Sequence, residues 1–129
     1  MSGTILKKIL IVDDAPQNRE LLKEVLVEDK QSYQIKEAED GVTALRMIDE
    51  ELPDIILLDI QMPGIDGYEV CRRLKADEKY KEIPIIFITA FTAAPDKIKA
   101  YELGAADYIT KPINISEVRS KVSLCLKAK

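Results

Sequence analysis

The chain contains no histidine, only two cysteines (Cys71 and Cys125) and no apolar run longer than four residues. Each shortage closes off a class of function. Without histidine, Ser-His-Asp and Cys-His catalysis are excluded within this chain, and so are the His/Cys ligand sets that zinc prefers. Two isolated cysteines with no secretion signal read as reduced core thiols. The longest apolar runs, Ile9–Val12, Ile55–Leu58 and Ile85–Ile88, fall far short of the roughly 20 residues that cross a bilayer. No basic stretch followed by a long apolar segment opens the sequence, so neither a membrane span nor a signal peptide is expected. Basic residues number 19 against 23 acidic ones, a net charge of −4, which argues against non-specific nucleic-acid binding. What is present is ordinary for a folded protein: 129 residues, 47% hydrophobic and 33% charged. That length fits one domain burying about two-thirds of the surface its unfolded chain exposes, and the expectation is a cytoplasmic one.

Two kinds of segment alternate. Lys8–Val12 is a short apolar run leading into Asp13-Asp14 and reads as a buried strand. Pro16 suits a first helical turn, and Leu22, Val25 and Leu26 give that helix an apolar stripe. Gln34–Ala38 is a weaker second strand; Asp40 can cap a second helix with a stripe of Ala44, Leu45, Ile48 and Leu52. A third strand, Ile55–Asp59, follows Pro53, and the loop from Gln61 to Gly67 leads to a helix carrying Val70, Cys71 and Leu74. Pro84–Thr89 is the fourth strand. A fourth helix spans about Ala94 to Leu103 and stops at Gly104, where a left-handed residue is expected. Asp107–Thr110 is a short fifth strand. Asn114 and Glu117 form a capping box for a last helix that buries Val118, Val122 and Cys125. Five strand–helix repeats without a linker or second composition zone predict an α/β fold, a parallel sheet covered on both faces.

In such sheets ligands sit beyond the carboxyl ends of the strands. Those ends carry Asp13 and Asp14, then Asp59, then Thr89, then Lys111 followed by Pro112. Taken singly, an aspartate at a strand end is more often a helix cap, and a lone threonine or lysine there means little. Asp59 is harder to dismiss, because aspartate is depleted from strands and four aliphatic residues lead straight into it. The coincidence of all five at one sheet edge carries the argument. Like charges about 4 Å apart repel by about 4 kcal/mol at an effective dielectric of 20, so three carboxylates require a cation or shifted pKa values. Oxygen ligands without histidine or cysteine suit Mg²⁺ or Mn²⁺. A carboxylate beside a metal, an ammonium group and a hydroxyl describes an aspartate that accepts a phosphoryl group.

Over about Lys8 to Leu126 the sequence resembles the receiver domain of two-component response regulators. Asp13-Asp14 resembles the acidic pair that holds Mg²⁺. Asp59, with the loop through Met62-Pro63-Gly64 to Asp66-Gly67, resembles the phosphoacceptor segment, and the Gln61 backbone carbonyl matches a further metal ligand. Thr89-Ala90 resembles the switch hydroxyl and the small residue that leaves room for the phosphoryl group. Tyr108 stands where the family has an aromatic that changes rotamer, and Lys111-Pro112 resembles the lysine–proline pair, often joined by a cis peptide. Gln61 and Phe91 fall at two positions that tune the lifetime of the phosphorylated state.

The resemblance implies a flavodoxin-like doubly wound (βα)5 fold, strand order 2-1-3-4-5, filling residues 1–129 as one receiver domain. It implies a phosphoacceptor rather than an enzyme with its own substrate. A histidine kinase or histidine phosphotransfer protein would be the donor. A downstream protein or attached effector domain would read a surface made by the fourth helix, fifth strand and fifth helix. Tyr101, Tyr108 and Ile113 near that surface suggest a phosphorylation-dependent homodimer, and equally suit ordinary helix packing. An aspartyl-phosphate phosphatase would carry a second Asp where Gln61 stands, and a flavin-mononucleotide carrier would have a glycine-rich loop in place of Asp13–Gln17. A receiver-like interaction module that is never phosphorylated stays open, as do the kinase, the output and whether the chain acts alone or within a longer protein.

Overall fold

The computed structural model describes residues 6–27, 33–90 and 94–127. Its elements run β1 (Lys7–Val12), α1 (Pro16–Val27), β2 (Tyr33–Ala38), α2 (Gly41–Glu50), β3 (Ile55–Asp59), α3 (Gly67–Lys75), β4 (Ile85–Thr89), α4 (Ala94–Glu102), β5 (Asp107–Thr110) and α5 (Ile115–Lys127). The strands form one parallel sheet in the order β2-β1-β3-β4-β5, the flavodoxin-like arrangement. No described helix is long and apolar enough to cross a membrane.

Side chains alternate across each strand, so the central strands feed two apolar clusters. Leu10, Val12, Ile56, Leu58, Ile85 and Phe87 face α2, α3 and α4 through Ala44, Ile48, Val70, Leu74 and Ala100. Ile9, Ile11, Ile55, Leu57, Ile86 and Ile88 face α1 and α5 through Leu22, Leu26, Val118 and Val122. Each fully buried side chain of this size stabilises by about 1.5–3 kcal/mol. That two-sided burial is why β3 and β4 read as continuous apolar runs up to their last residues, Asp59 and Thr89.

The helix ends follow local chemistry. Asp40 Oδ1 accepts from the Thr43 N–H at 2.7 Å, and Asp66 Oδ1 from the Glu69 N–H at 2.9 Å. Gly104 takes φ +96° just past α4. Asn114 Oδ1 accepts from the Glu117 N–H at 2.9 Å, one half of the expected capping box, while the Glu117 carboxylate lies 3.2 Å from Lys121 Nζ. Two apolar placements need correction. Leu52 is 44% exposed and lies beyond α2, because Pro53 disfavours helical backbone just before it and Glu51 is already extended. In α5 the buried stripe is Val118, Val122 and Leu126, and Cys125 lies at its half-buried margin. Cys71 is buried, its thiol donating to the Leu103 carbonyl at 3.4 Å; both cysteines are free thiols on opposite faces of the sheet.

Gly64 in the β3–α3 loop and Gly67 at the start of α3 differ in kind. Gly64 has φ +78° with open space around it, a left-handed turn that any side chain would strain. Gly67 has no such backbone demand, but a Cβ there would collide with the Asp59 carbonyl oxygen and sit 2.9 Å from Ile60 Cα. Gly64→Ala is expected to cost about 1 kcal/mol, and Gly67→Ala about 3 kcal/mol because backbone must move. Urea denaturation of the two variants checks the order, and equal losses would contradict it.

Candidate functional site

Strand order gathers the sequence-predicted residues. β1 and β3 are neighbours although α1, β2 and α2 intervene in sequence, so Asp13, one residue past β1, stands beside Asp59 at the end of β3. β4 ends in Thr89 on the other side of β3, and Lys111 follows β5, its N–H donating to the Thr89 carbonyl at 2.8 Å. Asp13 is 1% exposed and Asp59 and Thr89 each 5%. Asp14 is exposed. Asp13, Asp14 and Asp59 each bring one carboxylate oxygen within 4.8 Å of the others.

Lys111 Nζ lies 3.5 Å from Asp59 Oδ1 and 3.7 Å from Asp13 Oδ2. Asp13 Oδ1 accepts from the Ala15 N–H at 2.9 Å, whereas buried Oδ2 has no hydrogen-bond partner among the described residues. Burial, and then the Asp13 charge, push the Asp59 carboxyl up to about 6, against the opposing pull of Lys111. An orphaned buried oxygen, an under-compensated carboxylate and an oxygen-only donor set fit a hard divalent cation, Mg²⁺ or Mn²⁺. Asp13, Asp14 and Asp59 are the side chains that could hold it.

The other expected residues lie close by in the chain. Gln61 is exposed in the β3–α3 loop, two residues past Asp59, and Ala90 follows Thr89 on the surface. The Lys111–Pro112 peptide is cis. Tyr108 is half-buried on β5, with its ring 5.7 Å edge-on from Tyr101 and 5.0 and 4.9 Å from Lys97 and Lys121 Nζ. Tyr101 is exposed, whereas Ile113 packs partly against the α1–α5 cluster. Phe91 lies outside the described residues. Sequence reasoning missed Arg19, whose Nη1 donates to the Asp13 carbonyl at 2.7 Å. An arginine on α1 looks like any surface cation; its only signal was lying one helical turn past Ala15, where α1 leaves the acidic pair.

The raised Asp59 pKa sets a pH dependence for metal-free protein. Its folded value of about 6 exceeds the ordinary 3.8, so between those values the folded state holds a proton that the unfolded state releases. Stability therefore falls as pH rises from about 4 to about 6, by up to about 3 kcal/mol. In EDTA, Asp59→Asn is expected to be more stable than wild type at pH 7.5, with the gap closing toward pH 4. Urea midpoints across that range check this; a gap independent of pH would refute it.

The chain is similar in sequence and in fold to proteins of one family. The sequence model of the response regulator receiver domain matches residues 9–123. The response regulator PleD of Caulobacter vibrioides is 48% identical over 107 residues, covering 83% of this chain; the chain spans only 23% of PleD's length. Among solved structures, the signal receiver domain of a signal transduction histidine kinase from Syntrophus aciditrophicus is 37% identical with a TM-score of 0.86, covering 95% of this chain and 91% of that one. The Mn²⁺-bound form of response regulator Rcp1 is 29% identical with a TM-score of 0.83, covering 95% and 96%. By sequence, fold and the residues its strand ends assemble, the chain belongs to the response regulator receiver domain family.

Proposed function

We propose that the chain is a phosphoacceptor signalling domain, one receiver unit that takes a phosphoryl group onto Asp59 from a phosphohistidine of a histidine kinase or phosphotransfer protein in the cytoplasm. The observation that carries this reading is Asp59 itself: nearly buried, beside Asp13, and 3.5 Å from the Lys111 ammonium. A carboxylate in that position is poorly compensated as an anion and can form a bond that removes charge from its oxygen.

An Asp59 oxygen attacks phosphorus in line, the new O–P bond forms, and the P–N bond to the donor imidazole breaks with its electron pair staying on nitrogen. The donor supplies the histidine that this chain lacks. Lys111 and the Thr89 hydroxyl hold the equatorial phosphoryl oxygens. Mg²⁺ or Mn²⁺, held by Asp13, Asp14, Asp59 and the Gln61 carbonyl, would offset charge on those oxygens. Ala90 leaves space for the group, and Pro112 shapes the loop that presents Lys111. Phe91, with Gln61, governs the access of water to the acyl phosphate and so its lifetime.

The output is a change of surface rather than a reaction. Thr89 moves toward the phosphoryl group and Tyr108 turns into the space vacated, altering the face formed by α4, β5 and α5. A downstream protein, an attached effector or a second copy that prefers the altered face then binds.

Intact mass after incubation with acetyl phosphate tests the reading. Wild type is expected to gain one phosphoryl group with Mg²⁺ and none in EDTA; Asp59→Asn is expected to gain none, and Lys111→Ala to react roughly 100-fold more slowly. No gain from acetyl phosphate or from a phosphorylated donor protein, in folded protein, would leave a silent interaction module instead. Tyr108→Ala is expected to be phosphorylated at the wild-type rate but to lose phosphorylation-dependent partner binding or dimerisation. Full retention of that binding would remove Tyr108 from the switch.

A further inference from the structure

We propose that Arg19 is a positioning residue that fixes the Asp13–Asp14 peptide and so sets the affinity of the acidic cluster for a divalent cation. The inference rests on the metal-dependent phosphoacceptor reading and adds a residue on α1 to that site.

Asp13 is held through both backbone polar atoms and one side-chain oxygen. Its N–H donates to the Ala38 carbonyl at 3.1 Å. Its side-chain Oδ1 accepts from the Ala15 N–H, and its carbonyl accepts from Arg19 Nη1 at 2.7 Å. Three of four polar atoms are thus anchored outside the cluster, and the fourth, Oδ2, lies toward Lys111 with no hydrogen bond among the described residues. Peptide planarity gives the Arg19 contact its reach. The plane that holds the Asp13 oxygen also holds the Asp14 nitrogen, so fixing one end fixes where the Asp14 side chain starts. Asp14 is exposed, which leaves its backbone as the main restraint on its position.

Arg19 is itself held. Its side chain is 16% exposed, and Nε pairs with Glu37 Oε1 at 3.1 Å on neighbouring β2. The other Glu37 oxygen pairs with Lys23 at 2.9 Å. Hydrogen bonding from Lys23, and then from Arg19, keeps the Glu37 carboxyl below its usual range, so the tether stays charged. A guanidinium can serve two acceptors in fixed directions, whereas an ammonium group at the end of a flexible stem cannot.

Charge and position predict opposite signs. Removing a cation beside three carboxylates makes the cluster more negative, which by Coulomb's law tightens a divalent ion. Releasing the Asp13–Asp14 peptide scatters the ligand oxygens, and loss of such an outer contact typically weakens metal binding 10- to 100-fold.

The test is Mn²⁺ affinity at 25 °C, read from the EPR signal of the free ion, on wild type, Arg19→Met and Arg19→Lys, beside melting curves in EDTA. Arg19→Met is expected to bind Mn²⁺ at least 10-fold more weakly while remaining folded at the assay temperature. Arg19→Lys, which keeps the charge and the Glu37 pair, is expected to lose most of the same affinity, and it decides the matter if Arg19→Met does not fold. Wild-type or tighter binding by folded Arg19→Met, or wild-type binding by Arg19→Lys, would overturn the role of Arg19 alone. No saturable binding by wild type would overturn the metal site itself, and this inference with it.

Discussion

Asp13 and Asp59 sit nearly buried at neighbouring strand ends, sharing one ammonium group, Lys111, at 3.7 and 3.5 Å. Neither distance is that of a charge-assisted hydrogen bond, about 2.7–2.9 Å. The compensation is therefore partial, and burial, then repulsion from the Asp13 charge, keep the Asp59 carboxyl raised to about 6. Much of the local architecture follows from tolerating that repulsion. Two aliphatic clusters offset it from either face of the sheet. Gly67 lets α3 start directly against the Asp59 carbonyl, and Arg19 reaches from α1 to steady the peptide after Asp13.

Burial is uneven across the sheet, and the unevenness matches the proposed division of labour. Every residue of β3 and of β4 is buried, whereas in β5 only Ile109 is. On α4, Ala100 is buried while Ile98 and Tyr101 are exposed. The helix leans on aromatic contacts, Lys97 over Tyr108 at 5.0 Å and Lys99 over Tyr68 at 4.2 Å. Such contacts are worth about 0.5–1 kcal/mol each at exposed sites, little enough for a new doubly charged group nearby to rearrange them. Regions that move on ligand binding come from the low-stability end of a structure. The rigid half of the sheet would then perform the transfer and the looser half report it.

How much of this was legible in the sequence depended on whether the signal was local. Most elements were readable because β1, β3 and β4 carry continuous apolar runs and α1, α2, α3 and α5 carry apolar residues at helical spacing. By contrast, β2 and β5 are weaker or shorter, and α4 was bounded by Gly104. The boundaries moved by a residue or so: β1 begins at Lys7, β2 at Tyr33, and β4 at Ile85 because Pro84 has no N–H to give the ladder. Leu52 was misplaced because apolar spacing was weighed above the break that Pro53 imposes. Cys125 was misplaced because residues three and four past Val122 both lie near the buried face, and only packing decides in favour of Leu126. Among the candidate site residues, Asp13, Asp14, Asp59, Thr89 and Lys111 were legible through their shared place at strand ends, and Gln61, Ala90, Phe91 and Tyr108 through the family resemblance alone. Arg19 was not, since its partners, the Asp13 carbonyl just past β1 and the Glu37 side chain on β2, lie apart in sequence and one of them is backbone.

The site residues also bear on the fold itself. In a sheet buried on both faces, apolar pattern alone fixes register poorly: a slip of β3 by two residues along β1 would still present aliphatic side chains to both helix layers. Charge at the strand ends removes that freedom. In the observed register Val12 pairs with Leu58 and Asp59 with Ile88, leaving the carboxylates of Asp13 and Asp59 just beyond the apolar layers. Sliding β3 one way would draw Asp59 between the helices, where an unpaired carboxylate costs several kcal/mol. Sliding it the other way would carry Leu58 out of its cluster at a cost of about 2 kcal/mol. The aspartate proposed as the phosphoacceptor therefore also helps decide which of several similar sheets the chain can form, so Asp59→Leu would remove a constraint on register together with that carboxylate.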